Sequence, residues 1–443
     1  MFDDFRLRVF VKVAELGSFT AAARALGITQ PAVSQHIAEL EKFAGGLLFE
    51  RGRGPVSLTE RGRNLLAHAR GILGSYKQLE NEFRIPESIL IRDVLLDGRR
   101  TNILIRGDRF EDLDAPEDTP ADRVIDADGA AIFPGFFDAR TQAAPPRDSA
   151  EQTRRGGEHA IHQMGACGTT FFSDTGSDAE ETVAAVEASC LRAAVGIPYP
   201  EQAALRDYIT NWKDPSGGRI QLVMTPDAPL AASAEQIKRC ANFARHHGLL
   251  LHLRLAATRP ELEACVKAHG ATPVRWLEKL GLLGQDVLAS QCTLVDAEEW
   301  KILARRGVTA AHCPGAEVRT GGARFPYELA LESGCRITLG SDGAGSLNLH
   351  GAMRAALLLA SLGGRPNLLT PEEVFRWATR NGAGFFGIDA GRIAAGAQAD
   401  AVLVAPDAPT MRSGEDLLTS WILSADSGAV RHVICGGRIL KLK

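Results

Sequence analysis

Two sets of side chains in this sequence could do chemistry. The first is a polar run, Gln30, Ser34, Gln35 and His36, opening behind Thr29 and Pro31. Gln can pair with adenine edges, Ser can reach bases or phosphates, and a helix N-terminus favours a phosphate. That is the chemistry of reading DNA. The second set is scattered among strand-like runs further on. Eight cysteines stand at 167, 190, 240, 265, 292, 313, 335 and 435, and none forms a CxxC pair. They read as small buried apolar residues in a reducing cytoplasm. The histidines at 159, 162, 246, 247, 269, 312 and 350 show neither H-x-H nor HExxH spacing. His246 and His247 precede a Gly, where a solvated helix end is expected.

The elements that must position these groups fall into two textures. Up to residue 83 the chain reads as helical. Leu7, Phe10, Val11 and Ala14 recur at helical spacing. Gly17 can end that helix and Ser18 can cap the next, which Gly27 ends. Thr29 can cap a third helix, with Pro31 tolerated in its first turn. A short RGRGPVSLT stretch (51–59) suits a small hairpin. Residues 60–83 read as one long helix with Leu65, Leu66, Ala69, Ile72 and Leu73. Two helices joined by a tight Gly-containing turn make a helix-turn-helix. From Ser88 the texture changes to the strand-like SILIRDVLL and NILIRG. From Ile132 apolar strands alternate with helical stretches, among them TTFFSD, IQLVMTP, GLLLHLRL, VTAAHCP and RITLGSD. Continuous apolar strands with interleaved helices mean a covered parallel sheet, and this many repeats suit a closed β/α barrel.

Charge agrees with this division. The 443 residues carry a net −4. Residues 1–88 hold 12 Lys+Arg and 10 Asp+Glu, net +2, and the rest net −6. The first segment is the better candidate to meet a polyanion. No 18-residue apolar run appears, so no membrane span is expected. The beginning, MFDDFRLRVF, does not read as a signal peptide.

The stretch SFTAAARALGITQPAVSQHIAELEKFAGGLLFERGRGPVSLTERG resembles the DNA-binding domain of LysR-type regulators without a gap. The resemblance implies a winged helix-turn-helix over 1–59 and a linker and dimerisation helix over 60–88. Helix 29–42 would lie in the major groove, presenting Thr29, Gln30, Pro31, Ser34, Gln35 and His36. The wing at 51–58 would touch phosphate through Arg51 and Arg53. Helix 60–83 would pair two copies.

Residues 89–443 resemble the amidohydrolase superfamily in its cytosine-deaminase, chlorohydrolase and adenosine-type deaminase branch. The matching stretches are VIDADGAAIFPGFFDART, MGACGTTFFSD, VTAAHCPGAEVRTGG, ITLGSDGAGSLNLHGAM and GRIAAGAQADAVLVAP. This implies a (β/α)8 TIM-like metal-hydrolase barrel over 134–390 and a small discontinuous β-sandwich from 89–133 and 391–443. Such hydrolases hold a divalent metal at the C-terminal ends of the strands. Their Asp-x-His-x-His motif falls here on Asp138, Arg140 and Gln142. Their later His and Glu fall on Arg254 and Ala257, with His252 two residues before. A third imidazole position carries Gln291, and His312 stands in the family's HCP motif. Only the strand-end Asp342 survives of five ligands. Arg140 and Arg254 are expected close to Asp138 and Asp342, pairing where a metal would sit.

These substitutions lead to an expectation of no catalytic residue, no metal and no cofactor. The expected function is a cytoplasmic, nucleoid-associated bacterial transcription regulator. Its partners would be double-stranded DNA, a second copy of the chain and a small polar or anionic effector. The effector would meet Asp138, Arg140, Gln142, His252, Arg254, Gln291, His312 and Asp342, the barrel serving as sensor or scaffold. The alternative is a hydrolase or deaminase of heterocyclic C–N bonds, with zinc or iron, carrying an accessory DNA-binding head.

Overall fold

A computed structural model describes residues 4–50, 56–83, 87–143, 149–176, 178–198, 206, 209–226, 233–321, 323–343, 347–362, 365–411, 416–425 and 427–440. The chain divides into two compact units, residues 1–85 and 86–443.

The first unit is built by helix punctuation. Helices α1 (Phe5–Leu16), α2 (Phe19–Leu26) and α3 (Gln30–Ala44) each begin at a side-chain cap, Asp4, Ser18 and Thr29. Each ends at a glycine in the left-handed region, Gly17, Gly27 and Gly45, as chain reversal without a Cβ penalty requires. Val9, Phe10, Val13, Ala22, Val33, Ile37, Leu48 and Phe49 form the core. A bridge between Phe49 and Leu58 opens the wing, and the long helix α4 (Glu60–Phe83) follows. Gly62 lies where a Cβ would stand 2.1 Å from the Leu48 carbonyl oxygen, so the start of α4 tolerates no side chain. The unit is a winged helix-turn-helix.

The second unit begins with five strands: β1 (Ser88–Leu96), β2 (Arg99–Arg106), β3 (Arg109–Asp112), β4 (Arg123–Asp126) and β5 (Ala131–Pro134). Eight parallel strands then form the barrel: β6 (Phe136–Thr141), β7 (Thr169–Asp174), β8 (Arg192–Ile197), β9 (Ile220–Met224), β10 (Leu250–Leu255), β11 (Val287–Gln291), β12 (Thr309–His312) and β13 (Arg336–Leu339). The chain returns through β14 (Ala401–Val404), β15 (Val430–Cys435) and β16 (Arg438–Ile439) to complete the first sheet, β14 pairing antiparallel with β5. The strand runs flanking the barrel thus belong to one sheet drawn from both sides of it.

The barrel's seam joins β6 to the end of β13. The Asp342 amide donates to the Arg140 carbonyl at 2.8 Å. A Cβ on Gly340 would stand 2.9 Å from the Arg140 Cβ, so the strands approach closely there. The barrel is packed rather than hollow. Phe137, Ala139, Phe171, Ala194, Val223, Leu288 and Ala311 cluster with Ala383, Phe385 and Phe386. Polar side chains are left for the C-terminal ends of the strands.

One buried ion pair ties barrel to sheet. Arg192 at the start of β8 reaches Asp400, which also accepts from the Gly436 amide at 2.8 Å. The Asp400 side chain is fully buried. Removing one partner leaves a buried charge uncompensated. Asp400→Ala is expected to lower unfolding stability by about 3–5 kcal/mol, measured by urea denaturation. A loss under about 1 kcal/mol would show that the pair does not join the two layers.

Candidate active site

The C-terminal ends of β6, β11 and β13 bring four polar side chains together. Arg140 donates from Nε to Asp342 Oδ1 at 2.5 Å and from Nη1 to Ser290 Oγ at 3.0 Å. Gln291 donates from Nε2 to the other Asp342 oxygen at 2.9 Å. Both members of the ion pair are below 10% exposed, at 8% and 9%. Asp138 lies alongside. Its Oδ1 accepts from the Arg140 amide at 3.2 Å and from the Ser341 amide at 3.0 Å. Its Oδ2 is buried with no hydrogen-bond partner among the described residues. Burial pushes the Asp138 carboxyl up to about 7. His252 on β10 is also buried, and neither ring nitrogen has a partner among the described residues. Burial, helped by the Arg140 charge, holds its imidazole well below the usual histidine range.

The backbone here is unusual. Gln291, Cys292 and Asp342 have φ of 72°, 53° and 56°, and Ala256 at the end of β10 has 47°. Non-glycine residues seldom adopt such angles, and they concentrate where a site demands them. The β6–β7 pairing also shifts register between Asp138 and Thr141. On β11 the left-handed backbone at Gln291 breaks strand alternation, so neighbouring residues Ser290 and Gln291 both reach one network.

Not every sequence candidate joins it. Arg254 is corrected: it pairs with Glu261 at 2.9 Å, 42% exposed, instead of facing Asp138 and Asp342. It ends β10 beside the helix Arg259–His269, and the nearby carboxylate spares it burial beside a second guanidinium. Gln142 lies beyond the end of β6 and is exposed. His312 is a packed histidine and not part of the network. Its Nε2 lies 2.7 Å from the Tyr327 hydroxyl, its Nδ1 lies 3.0 Å from Glu317 Oε1, and its ring packs on Phe325. Sequence reasoning missed Ser290 and Ser341. Ser290 is a lone hydroxyl in the apolar run VLASQ, which was the available signal.

In the first unit, Thr29 caps α3, accepting from the Ala32 amide at 3.4 Å. Gln30 donates to Ser34 at 3.0 Å, Gln35 donates to Glu39 at 3.4 Å, and Pro31 is exposed beside them. His36 is half-buried, its ring edge-on to Phe5 at 5.4 Å. Arg51 and Arg53 lie outside the described residues.

The amidohydrolase family model matches residues 131–440. The chain belongs to the amidohydrolase family. The model of bacterial regulatory helix-turn-helix proteins of the lysR family matches residues 5–63, so the chain joins that DNA-binding head to an amidohydrolase barrel. It is 30% identical over 402 residues to the 5-methylthioadenosine/S-adenosylhomocysteine deaminase of Pyrococcus abyssi, covering 80% of this chain and 94% of that one. It is 29% identical over 382 residues to the 5'-deoxyadenosine deaminase of Methanosarcina mazei, covering 78% and 88%. The fold matches a zinc-bound adenosine deaminase from Xanthomonas campestris (TM-score 0.72, 21% identity, 80% and 92% covered). It also matches the atrazine chlorohydrolase of Arthrobacter aurescens TC1 complexed with zinc (TM-score 0.70, 20% identity, 80% and 95% covered).

These similarities correct two expectations. The regulator with a sensor barrel gives way, because the curated relatives spanning most of the chain are deaminases. The expectation of no cofactor also falls as a family property, because solved neighbours of the fold hold zinc. The donor set at this mouth nevertheless does not fit zinc as those ligand positions would require. Asp342 is already engaged by Arg140 and Gln291, and among the described residues no group of three or more His, Cys, Asp or Glu could hold a metal ion. Among the described residues no helix is long and apolar enough to cross a membrane.

The Asp138 carboxyl yields a pH prediction. Its folded value of about 7 stands above the ordinary 3.8. The stability it contributes is complete below the unfolded value and is lost as pH rises through about 7. Asp138→Asn keeps the side chain neutral at all pH. Between about pH 5 and 7, wild-type stability is expected to fall relative to the variant by up to about 1.4 kcal/mol per pH unit, read from urea melts. A gap constant with pH would show that Asp138 is ionised throughout.

Proposed function

We propose that this chain is a hydrolase of exocyclic C–N bonds on a nitrogen heterocycle, of the adenine-nucleoside type, carrying a DNA-binding head. The observation that carries this is the similarity of about 30% over about four-fifths of the chain to deaminases of 5'-deoxyadenosine and 5-methylthioadenosine. The reaction consumes water and releases ammonia, leaving a carbonyl where the amine stood.

The mouth's own residues support a site there. Asp138 and His252 carry buried polar atoms without a partner among the described residues, and Gln291 and Asp342 have left-handed backbone beside them. Groups left unsatisfied in this way call for an explanation, and a polar substrate supplies one. Arg140, Gln291 and Asp342 keep slight exposure and would meet an aminopurine first, with Asp138 and His252 behind them. Arg140 orients the Asp342 carboxylate and offers a planar donor to ring nitrogens. The small molecule at this mouth is thus a substrate in our proposal, not an effector.

In the head, α3 would enter the major groove and α4 would pair two copies, presenting half-sites about one DNA turn apart. The barrel would then work on or near DNA.

Full-length protein incubated with 5'-deoxyadenosine or 5'-methylthioadenosine is expected to release ammonia saturably. Asp342→Ala, which removes the acceptor that Arg140 and Gln291 share, should abolish most of it while circular dichroism stays native. Folded wild-type protein that releases no ammonia from either nucleoside above the enzyme-free rate would refute the deaminase assignment.

A further inference from the structure

The opposite end of the barrel carries a cavity of about 260 Å3. Arg336, Arg380, Arg392 and Asn381 line it, with Ile388 and Ala390 as an apolar wall. Arg336 is the first residue of β13, so the cavity lies at the strand starts, away from Asp342 beyond the end of that strand. Phe385 and Phe386 belong to the apolar cluster filling the barrel between the two ends.

The charge there is one-sided. Among the described residues three arginines and no carboxylate line the cavity, with Asp389 next to it in the chain between Ile388 and Ala390. Arg392 pairs with Asp389 at 2.6 Å, and Asp389 also faces Arg109 at 3.4 Å. Among the described residues the Arg336 and Arg380 side chains make no hydrogen bond or ion pair. Arg336 and Arg380, both exposed, thus line one space without a countercharge among the described residues, and an anion would supply it.

The arrangement is built rather than incidental. Arg380 sits in a π-helical turn, Trp377–Asn381, a rare geometry that occurs frequently at functional positions. Two hydrogen bonds lock that turn to β13: Thr338 Oγ1 donates to the Trp377 carbonyl at 2.9 Å, and Asn381 Nδ2 donates to the Ile337 carbonyl at 2.8 Å. Gly391 has φ of 75° and lies where a Cβ would stand 2.8 Å from the Arg380 Cα, so the loop bearing Arg392 is pressed onto the turn. Strand, turn and loop hold three arginines around one space. A Cβ on Gly384 would meet nothing within 4 Å, so this lining position leaves room for a guest.

We propose that this cavity binds a phosphate group, carried by a small organic molecule whose apolar body rests on Ile388 and Ala390. Planar guanidiniums suit phosphate oxygens in paired contacts. The site is independent of the barrel mouth and stands whether or not the deaminase assignment does.

Calorimetric titration of the full-length chain with inorganic phosphate and with phenyl phosphate tests this. Saturable binding of one equivalent is expected, weakened about tenfold or more by Arg336→Gln combined with Arg380→Gln, and unchanged by Asp342→Asn. Tighter binding of phenyl phosphate than of inorganic phosphate is expected, and equal binding of the two would overturn the role given to Ile388 and Ala390. The two single variants, each at an exposed position, replace the pair if it fails to fold. Absence of saturable binding for both probes, or binding that survives the arginine substitutions at full strength, overturns the proposal.

Discussion

The ion pair between Arg140 and Asp342 is the interaction on which the rest of the second unit's active end depends. It spans the seam where the first and last strands of the barrel meet, next to the backbone hydrogen bond that closes it. Ser290 and Gln291 hold the pair from a third strand. A guanidinium inside a barrel is costly unless its donors are matched, and here its Nε and one terminal nitrogen have acceptors. The same group sets the electrostatics of its neighbours, since its charge helps keep His252 neutral. Left-handed angles at Gln291 and Asp342 are retained because they aim these side chains at it.

The two units are held by different physics. The head is small and relies on caps and glycine stops around a compact core. The barrel unit relies on burial, with aromatic stacking of Trp421 on Phe133 and Phe136 and the buried Arg192–Asp400 pair joining barrel to sheet. Rearrangement at the mouth is therefore compatible with a stable frame, because the frame's main contacts lie elsewhere.

Much of this was legible in the residues. Gly17, Ser18, Gly27 and Thr29 mark helix boundaries by their chemistry alone, and the apolar strand runs mark the barrel. The pairing of Arg140 with Asp342 was legible too, because family motifs place both at strand ends. Arg254 was not: periodicity puts it on the face of His252, but Glu261 on the following helix captures it. Ser290 escaped because strand alternation assigns Ser290 and Gln291 to opposite faces, and only a left-handed backbone at Gln291 unites them. Function was less legible for a related reason: the residues at Arg140, Gln142, Arg254 and Gln291 depart from the family's ligand positions, whereas similarity over most of the chain points to deaminases.

A double-mutant cycle on Arg140→Ala and Asp342→Ala, followed by urea denaturation of the full-length chain, tests the organising role of the seam pair most directly. The single variants should each cost several kcal/mol, and the cycle should show coupling of about 1–3 kcal/mol. Additive losses, with no coupling beyond error, would mean that the two charges do not depend on each other and that the mouth is organised by something else.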